Sequence, residues 1–244
     1  MQLLDLQKLL SENAYPGRGI VVGMSADGKN ALFAYFIMGR SENSRNRVFE
    51  AFEGGVRTKA FDESRVSDSS LIIYNPYRRV LCGNVDVVTN GDQTDTVCAY
   101  LCDNGGDGCA FEKALSTREF EPDAPHYTPR ISGILYYAFP RAAFTYKLSI
   151  LKSAGGDPSA CLRQFFHYAP LPGVGHFIHT YRCDGAVLPS FEGEPRAVAL
   201  PQTAEQLADL LWNGLNEDNK ISLLVRSVPL DGSAPTQIIR NKNR

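Results

Sequence analysis

The sequence predicts a single α+β domain in which mostly antiparallel sheet is covered by helices. Three observations carry this. Short apolar runs bounded by Gly, Pro, Asn or Asp recur along the 244 residues, the pattern of strands joined by short connections. Helical spacing of apolar residues is interleaved with those runs rather than gathered in a separate block. No fixed-period repeat, low-complexity tract or linker divides the chain, whose length suffices for one substantial core.

In chain order, Leu3, Leu6 and Leu10 sit at helical spacing and Pro16-Gly17 ends that stretch, so residues 1–14 are expected to carry an N-terminal helix. Gly19–Met24 and Ala31–Met38 flank Ala26-Asp27-Gly28-Lys29, which predicts a hairpin with an Asp-Gly turn. Further strands are expected at Ser70–Tyr74, Val80–Val88, Ile131–Phe139, Thr145–Leu151, Gly175–Tyr181 and Ile221–Pro229. Helices are expected at 94–102, 107–116, 157–167 and 203–216, the last opened by Thr203 with Gln206 three residues on, a capping-box pattern. Residues 197–244 read as a C-terminal extension of the domain.

Composition narrows the function. The chain is 43% hydrophobic and 21% charged with a net charge of −2, so it is neither disordered nor surrounded by a field that favours nucleic acid or an anionic membrane. The N-terminus lacks the basic start and apolar core of a signal peptide, and no apolar run reaches membrane-spanning length, so a cytoplasmic protein is expected. The six cysteines show no CxxC pair. Cys98, Cys102 and Cys109 with His126 match no common zinc spacing, and reduced thiols are the expectation.

An anionic ligand must therefore meet a local cluster. Arg40-Ser41-Glu42-Asn43-Ser44-Arg45-Asn46-Arg47 follows the hairpin and places three guanidinium forks in one loop, suited to phosphate if it is more than a solvated turn. Tyr74-Asn75-Pro76-Tyr77-Arg78-Arg79 joins aromatic and basic residues that could grip a planar base. Thr89-Asn90-Gly91-Asp92 is a polar turn after a strand. Glu119, Glu121, Asp123 and His126 gather acids and a base just before Thr128-Pro129-Arg130. His176 and His179, three apart on a strand, point to opposite faces, which argues against a shared metal. No dinucleotide loop, Walker motif or nucleophile elbow is present.

Taken in order, these segments resemble the archaeal-type IMP cyclohydrolase family. The likeness rests on Tyr15-Pro16-Gly17-Arg18, Gly39-Arg40-Ser41 with Asn46-Arg47, Tyr74-Asn75, Thr89-Asn90-Gly91, Thr128-Pro129-Arg130-Ile131, and the stretches GHFIHTY and SFEGEP, from about residue 15 to 196. The resemblance implies a four-layered αββα sandwich like that of the N-terminal nucleophile hydrolases. Their chemistry is not implied, because Met1 is followed by Gln2 rather than by a Ser, Thr or Cys that could serve as a free N-terminal nucleophile. The implied reaction closes 5-formamidoimidazole-4-carboxamide ribotide (FAICAR) to IMP with loss of water, requiring neither cofactor nor metal. The matching catalytic residues are Arg40, Tyr74 and Glu121. Arg18, Arg47 and Arg130 are matched to the phosphate, with Ser41, Asn46, Asn75, Asn90 and His176 as further substrate-binding residues. The chain departs from the family around EFEPDAPHYTPR, where Glu119 competes with Glu121 for the proton-transfer role. A nucleotide-binding protein without turnover and an amidohydrolase on the same fold are the alternatives. The expected partner is the small-molecule ribotide, with a homo-oligomer compatible with this size.

Overall fold

Gly28 takes φ 72°, a conformation open to glycine, and Ser25 N–H donates to Asn30 O, so the chain turns back on itself where Asp27-Gly28 predicts. The computed structural model describes residues 2–66, 72–104, 107–138 and 142–243. Helix α1 (Leu6–Glu12), capped by Asp5, leads into the hairpin β1 (Arg18–Met24) and β2 (Asn30–Met38). A four-residue α2 (Glu42–Arg45) precedes a second hairpin, β3 (Arg47–Phe52) and β4 (Gly55–Ala60). There follow β5 (Tyr77–Val80), β6 (Val85–Thr89), α3 (Gln93–Asn104) and α4 (Ala110–Leu115). Next come β7 (Arg130–Tyr137), β8 (Phe144–Ala154), β9 (Asp157–Tyr168), β10 (Val174–His179) and β11 (Arg196–Ala199). The chain closes with α5 (Ala204–Gly214), β12 (Lys220–Pro229) and β13 (Thr236–Asn241).

The strands form two sheets, one ordered β11-β10-β1-β2-β12-β13 and one running β3 to β9 in sequence order. Every ladder is antiparallel. Alternation along β1 sends Ile20 and Val22 to the layer between the sheets, where they meet Val88, Leu135 and Leu148 of the second sheet. Val21 points the other way, onto Leu6 and Leu10 of α1 and Leu207 and Leu211 of α5. Val87 and Ile134 on the far face of the second sheet pack against Val97, Leu101, Phe111 and Leu115 of α3 and α4. Because β1 and β2 are covered on both faces, they read as unbroken apolar runs. Each such side chain contributes about 1.5–3 kcal/mol when buried.

The structure corrects several expectations. Residues 157–167 form strand β9, not a helix. Gly155 and Gly156 adopt φ 67° and 87° and turn the chain back along β8. Cys161, Leu162, Phe165 and Phe166 imitate a helical stripe, but a strand sends Phe165 to the α3–α4 side and Phe166 to the inter-sheet layer. The run Val80–Val88 is not one strand: Leu81, Cys82 and Gly83 all take positive φ, and β5 and β6 pair as a hairpin around them. Of Ser70–Tyr74, the first two residues lie outside those described, as does Phe139, and residues 72–74 are not strand. Four strands were not anticipated, β3, β4, β11 and β13, whose half-exposed positions carry polar residues that hide the alternation. The Thr203–Gln206 capping box forms as predicted, with 3.2 Å bonds in both directions. Within residues 197–244, β12 lies between β2 and β13 and supplies Leu223 and Val225 to the core.

Candidate active site

Strand ends bring the sequence's polar turns together. Arg18 opens β1, Arg47 opens β3 and Arg130 opens β7, while Arg40 follows β2, Asn90-Gly91 follow β6 and Thr180-Tyr181 follow β10. Antiparallel register sets Arg18 beside Ile37 at the end of β2, and Thr180 N–H donates to Arg18 O at 2.9 Å, so these ends share one end of the sandwich. Gly17 is required at the approach. It takes φ 77°, and a Cβ there would lie 2.3 Å from Thr180 Oγ1 and 2.5 Å from Tyr181 Cδ2.

Three arginines surround one carboxylate. Glu121 is only 2% exposed. Burial pushes its carboxyl up to about 7, against the pull of Arg18 and Arg130 toward the charged form. Arg18 is 8% exposed, and its Nε is buried with no hydrogen-bond partner among the described residues. Burial opposes its charge, but Tyr181, Glu121, Tyr15 and Tyr74 outweigh that and hold its pKa above the usual guanidinium value. Arg47 is wholly buried. It gives Nε–H to Ser44 O at 2.8 Å and leaves Nη1 unpartnered among the described residues. Burial and the like charge of Arg18 hold its pKa below the usual value, Tyr74 opposing them. Tyr74 Oη meets Tyr35 Oη at 2.7 Å within the same field. Arg130 is better compensated: Nη1 reaches Gln93 Oε1 at 2.7 Å and Asp92 Oδ1 at 2.7 Å.

A cavity of about 280 Å³ opens onto this group, with Arg18, Arg40, Ser41, Asp123, His126 and Tyr181 in its wall. Arg40 holds its mouth, 5.0 Å over the Tyr15 ring, with Nη1 donating to Asp184 Oδ1 and Gly185 O at 2.8 Å each. Beyond Arg40 lies a second, basic hollow of about 530 Å³ that includes Arg45, Asn46 and Arg65. An unpaired buried guanidinium facing a cavity is a site for an anion or a developing oxyanion, since each free N–H left without an acceptor costs about 1–3 kcal/mol.

The structure thus brings Arg18, Arg40, Ser41, Arg47, Tyr74, Glu121 and Arg130 to one place. Glu119 is separate, its side chain 65% exposed and 3.9 Å from Arg163. The amides of the expected asparagines are committed to the frame. Asn46 bridges Asp62 O and Asp62 N at 2.7 and 2.8 Å, and Asn75 faces Asp95 at 3.2 Å. Asn90 ties Pro129 O and Ile131 N at 2.8 Å each. His176 makes its contacts elsewhere, 2.6 Å from Tyr146 Oη and stacked 3.6 Å from Tyr168 between the sheets, where burial pushes it down to about 4. His179 faces the opposite side of β10, against Phe177 and Phe191. Among the described residues no three His, Cys, Asp or Glu side chains are grouped to hold a metal, and no helix is long and apolar enough to cross a membrane. Cys98 is buried, which pushes its thiol up to about 12, while Cys102 and Cys109 are exposed.

Sequence reasoning assigned no role to Tyr15, Thr128, Tyr181 or Gln93. The available signal was position: Tyr181 lies two residues past the end of a strand whose antiparallel partner begins with Arg18. Gly91 gives a test of the packing. A Cβ there would lie 2.5 Å from Arg130 Nη1, 2.6 Å from Gln93 Oε1 and 3.6 Å from Glu121 Oε1. Gly91→Ala is expected to cost roughly 1–3 kcal/mol by chemical denaturation, and an unchanged midpoint would mean that Arg130 and Gln93 are not held there.

No match is found among curated proteins. A family model described as IMP cyclohydrolase-like protein matches residues 15–232, which takes in every residue of the arginine–glutamate group and both sheets up to β12. With this match over most of its length, and with its motifs converging at one end of the sandwich, the chain belongs to the IMP cyclohydrolase-like protein family.

Proposed function

We propose that the chain closes FAICAR to IMP with loss of water. The observation that carries this is the pairing of buried Arg18 Nε and Arg47 Nη1, each without a hydrogen-bond partner among the described residues, with a buried Glu121 held near neutrality, beside a cavity whose mouth is lined by Arg40. The carboxamide nitrogen attacks the formyl carbon of the same molecule, so the first task is to hold the two groups facing each other. The second is to meet negative charge as it grows on the formyl oxygen. The third is to move protons, which a carboxyl near pH 7 does well in either direction.

Depth favours a division of labour different from the one the resemblance implies. Arg40, with Ser41 beside it, lies at the solvated mouth, where a phosphate keeps part of its hydration. Arg18 and Tyr74, in the dry interior, suit the formyl oxygen, where a fixed donor has most effect. Glu121, rather than the exposed Glu119, then protonates that oxygen. Arg130, already engaged by Asp92 and Gln93, holds the Gly91 turn and adds to the positive field. The layered sheets and flanking helices also support our reading of the architecture as an αββα sandwich related to the N-terminal nucleophile hydrolases.

Incubating the protein with FAICAR and following IMP by absorbance tests the reading. Turnover is expected, and binding of IMP without turnover would reassign the chain as a ribotide-binding protein. Arg40→Ala should raise KM roughly 10- to 100-fold with little change in kcat, the loss of one charge-assisted contact of about 1.5–3 kcal/mol. Arg240→Ala, at the surface and paired with Asp209, should change neither, and equal effects of the two would remove Arg40 from the site.

A further inference from the structure

Glu121 accounts for one proton of the ring closure, and the cavity wall carries a second proton path that no role above uses. Asp123 accepts two hydrogen bonds from Thr128, one from the backbone N–H at 2.6 Å and one from the hydroxyl. The Thr128 hydroxyl is also bonded to the Tyr181 hydroxyl. An ionised carboxylate only accepts, so the single hydroxyl hydrogen of Thr128 is committed to Asp123, and Tyr181 must be the donor to Thr128. The hydrogens therefore all point one way, from Tyr181 through Thr128 to Asp123. Thr128 is fully buried and Tyr181 is 2% exposed, yet Tyr181 and Asp123 both line the cavity that contains Arg18. A turn held only for stability needs no buried phenol at its end.

We infer that Tyr181 takes the carboxamide proton during ring closure and relays it through Thr128 to Asp123. This rests on the cyclohydrolase reading. As the N–C bond forms, the carboxamide N–H breaks and its proton goes to Tyr181 Oη. The phenolic proton passes to Thr128 Oγ1, and the threonine proton passes to the Asp123 carboxylate. Glu121 at the same time protonates the formyl oxygen. In the second stage the C–O bond breaks. The departing hydroxyl collects the proton held on Asp123 back along the chain, and the former formamide N–H gives its proton to Glu121. Water leaves, and Glu121, Tyr181, Thr128 and Asp123 all return to their starting forms. Burial pushes the Tyr181 phenol up from its ordinary value, so a free phenolate is disfavoured and a concerted transfer suits the site better.

The test uses the full chain with FAICAR, reading kcat alongside IMP binding by thermal shift. Thr128→Val keeps the shape and cuts the path; kcat should fall about 100-fold or more, within the range for general base catalysis, while the IMP dissociation constant changes by less than about threefold. Thr128→Ser should restore kcat to within about fivefold of the parent, a rescue that a purely structural role would not give. Should Thr128→Val fail to fold, Tyr181→Phe carries the same expectation. Full kcat in Thr128→Val or Tyr181→Phe, or a folded Thr128→Ser as slow as valine, would overturn the relay alone, whereas a parent protein that makes no IMP would remove the cyclohydrolase reading and the relay together.

Discussion

Replacing Arg18 with methionine is expected to lower the unfolding midpoint and abolish turnover in the same molecule. Arg18 is 8% exposed, and its Nε is buried with no hydrogen-bond partner among the described residues. Burial opposes its charge, but the groups around it outweigh that and favour the charged form. Removing one partner from a buried charge cluster costs about 3–5 kcal/mol, and each kcal/mol shifts Tm by roughly 2–4 °C in a chain of this size. Glu121 would lose the pull of Arg18 toward its charged form and titrate higher still. Activity should fall at least about 100-fold, as for removal of an oxyanion donor. An Arg18→Met protein that melts as the parent does and still turns over would mean that this guanidinium serves neither the fold nor the site.

Glu121→Gln should separate the pH dependence of stability from that of chemistry. The folded carboxyl titrates at about 7 against a reference of 4.5. Between those values the folded state binds more protons than the unfolded chain, so stability falls as pH rises through this window. The loss is roughly 3 kcal/mol at most. Glutamine removes it, so the melting temperature of the variant should change less between pH 5 and 8 than that of the parent. Turnover should fall about 100- to 10,000-fold, the range for a lost general acid, with IMP still bound. In the parent, turnover should decline as pH rises through about 7, where Glu121 loses the proton it donates. Identical melting profiles for variant and parent would place Glu121 in an ordinary, solvated environment.

Much of the frame was legible where local chemistry and burial agree. The Asp27-Gly28 turn, the Thr203–Gln206 box and the two-sided apolar runs of β1 and β2 each fix their structure within a few residues. Strand β9 misled because its apolar pairs serve two cores at once, and β3 and β13 because half their positions face water. The arginines of the site were visible because a strand end that carries a guanidinium in a chain of slight negative charge is unusual. Their depth was not. Arg47 reads as part of a basic loop, yet the register of β3 with β4 buries it completely. Asn46, Asn75 and Asn90 read as ligands because turn asparagines and binding asparagines look alike in sequence, and here their amides satisfy backbone or carboxylate groups. The Tyr181–Thr128–Asp123 chain joins residues separated by more than fifty positions, a contact made where the chain leaving β10 in one sheet meets the chain entering β7 in the other.

A crystal structure with IMP bound would test the central claim most directly. The purine edge carrying the newly closed N1–C2 bond should lie within hydrogen-bonding distance of Arg18, Tyr74 and Glu121, with the phosphate toward Arg40 and Ser41. IMP bound away from this end of the sandwich, or with Arg18 and Arg47 still unpartnered beneath it, would contradict the account.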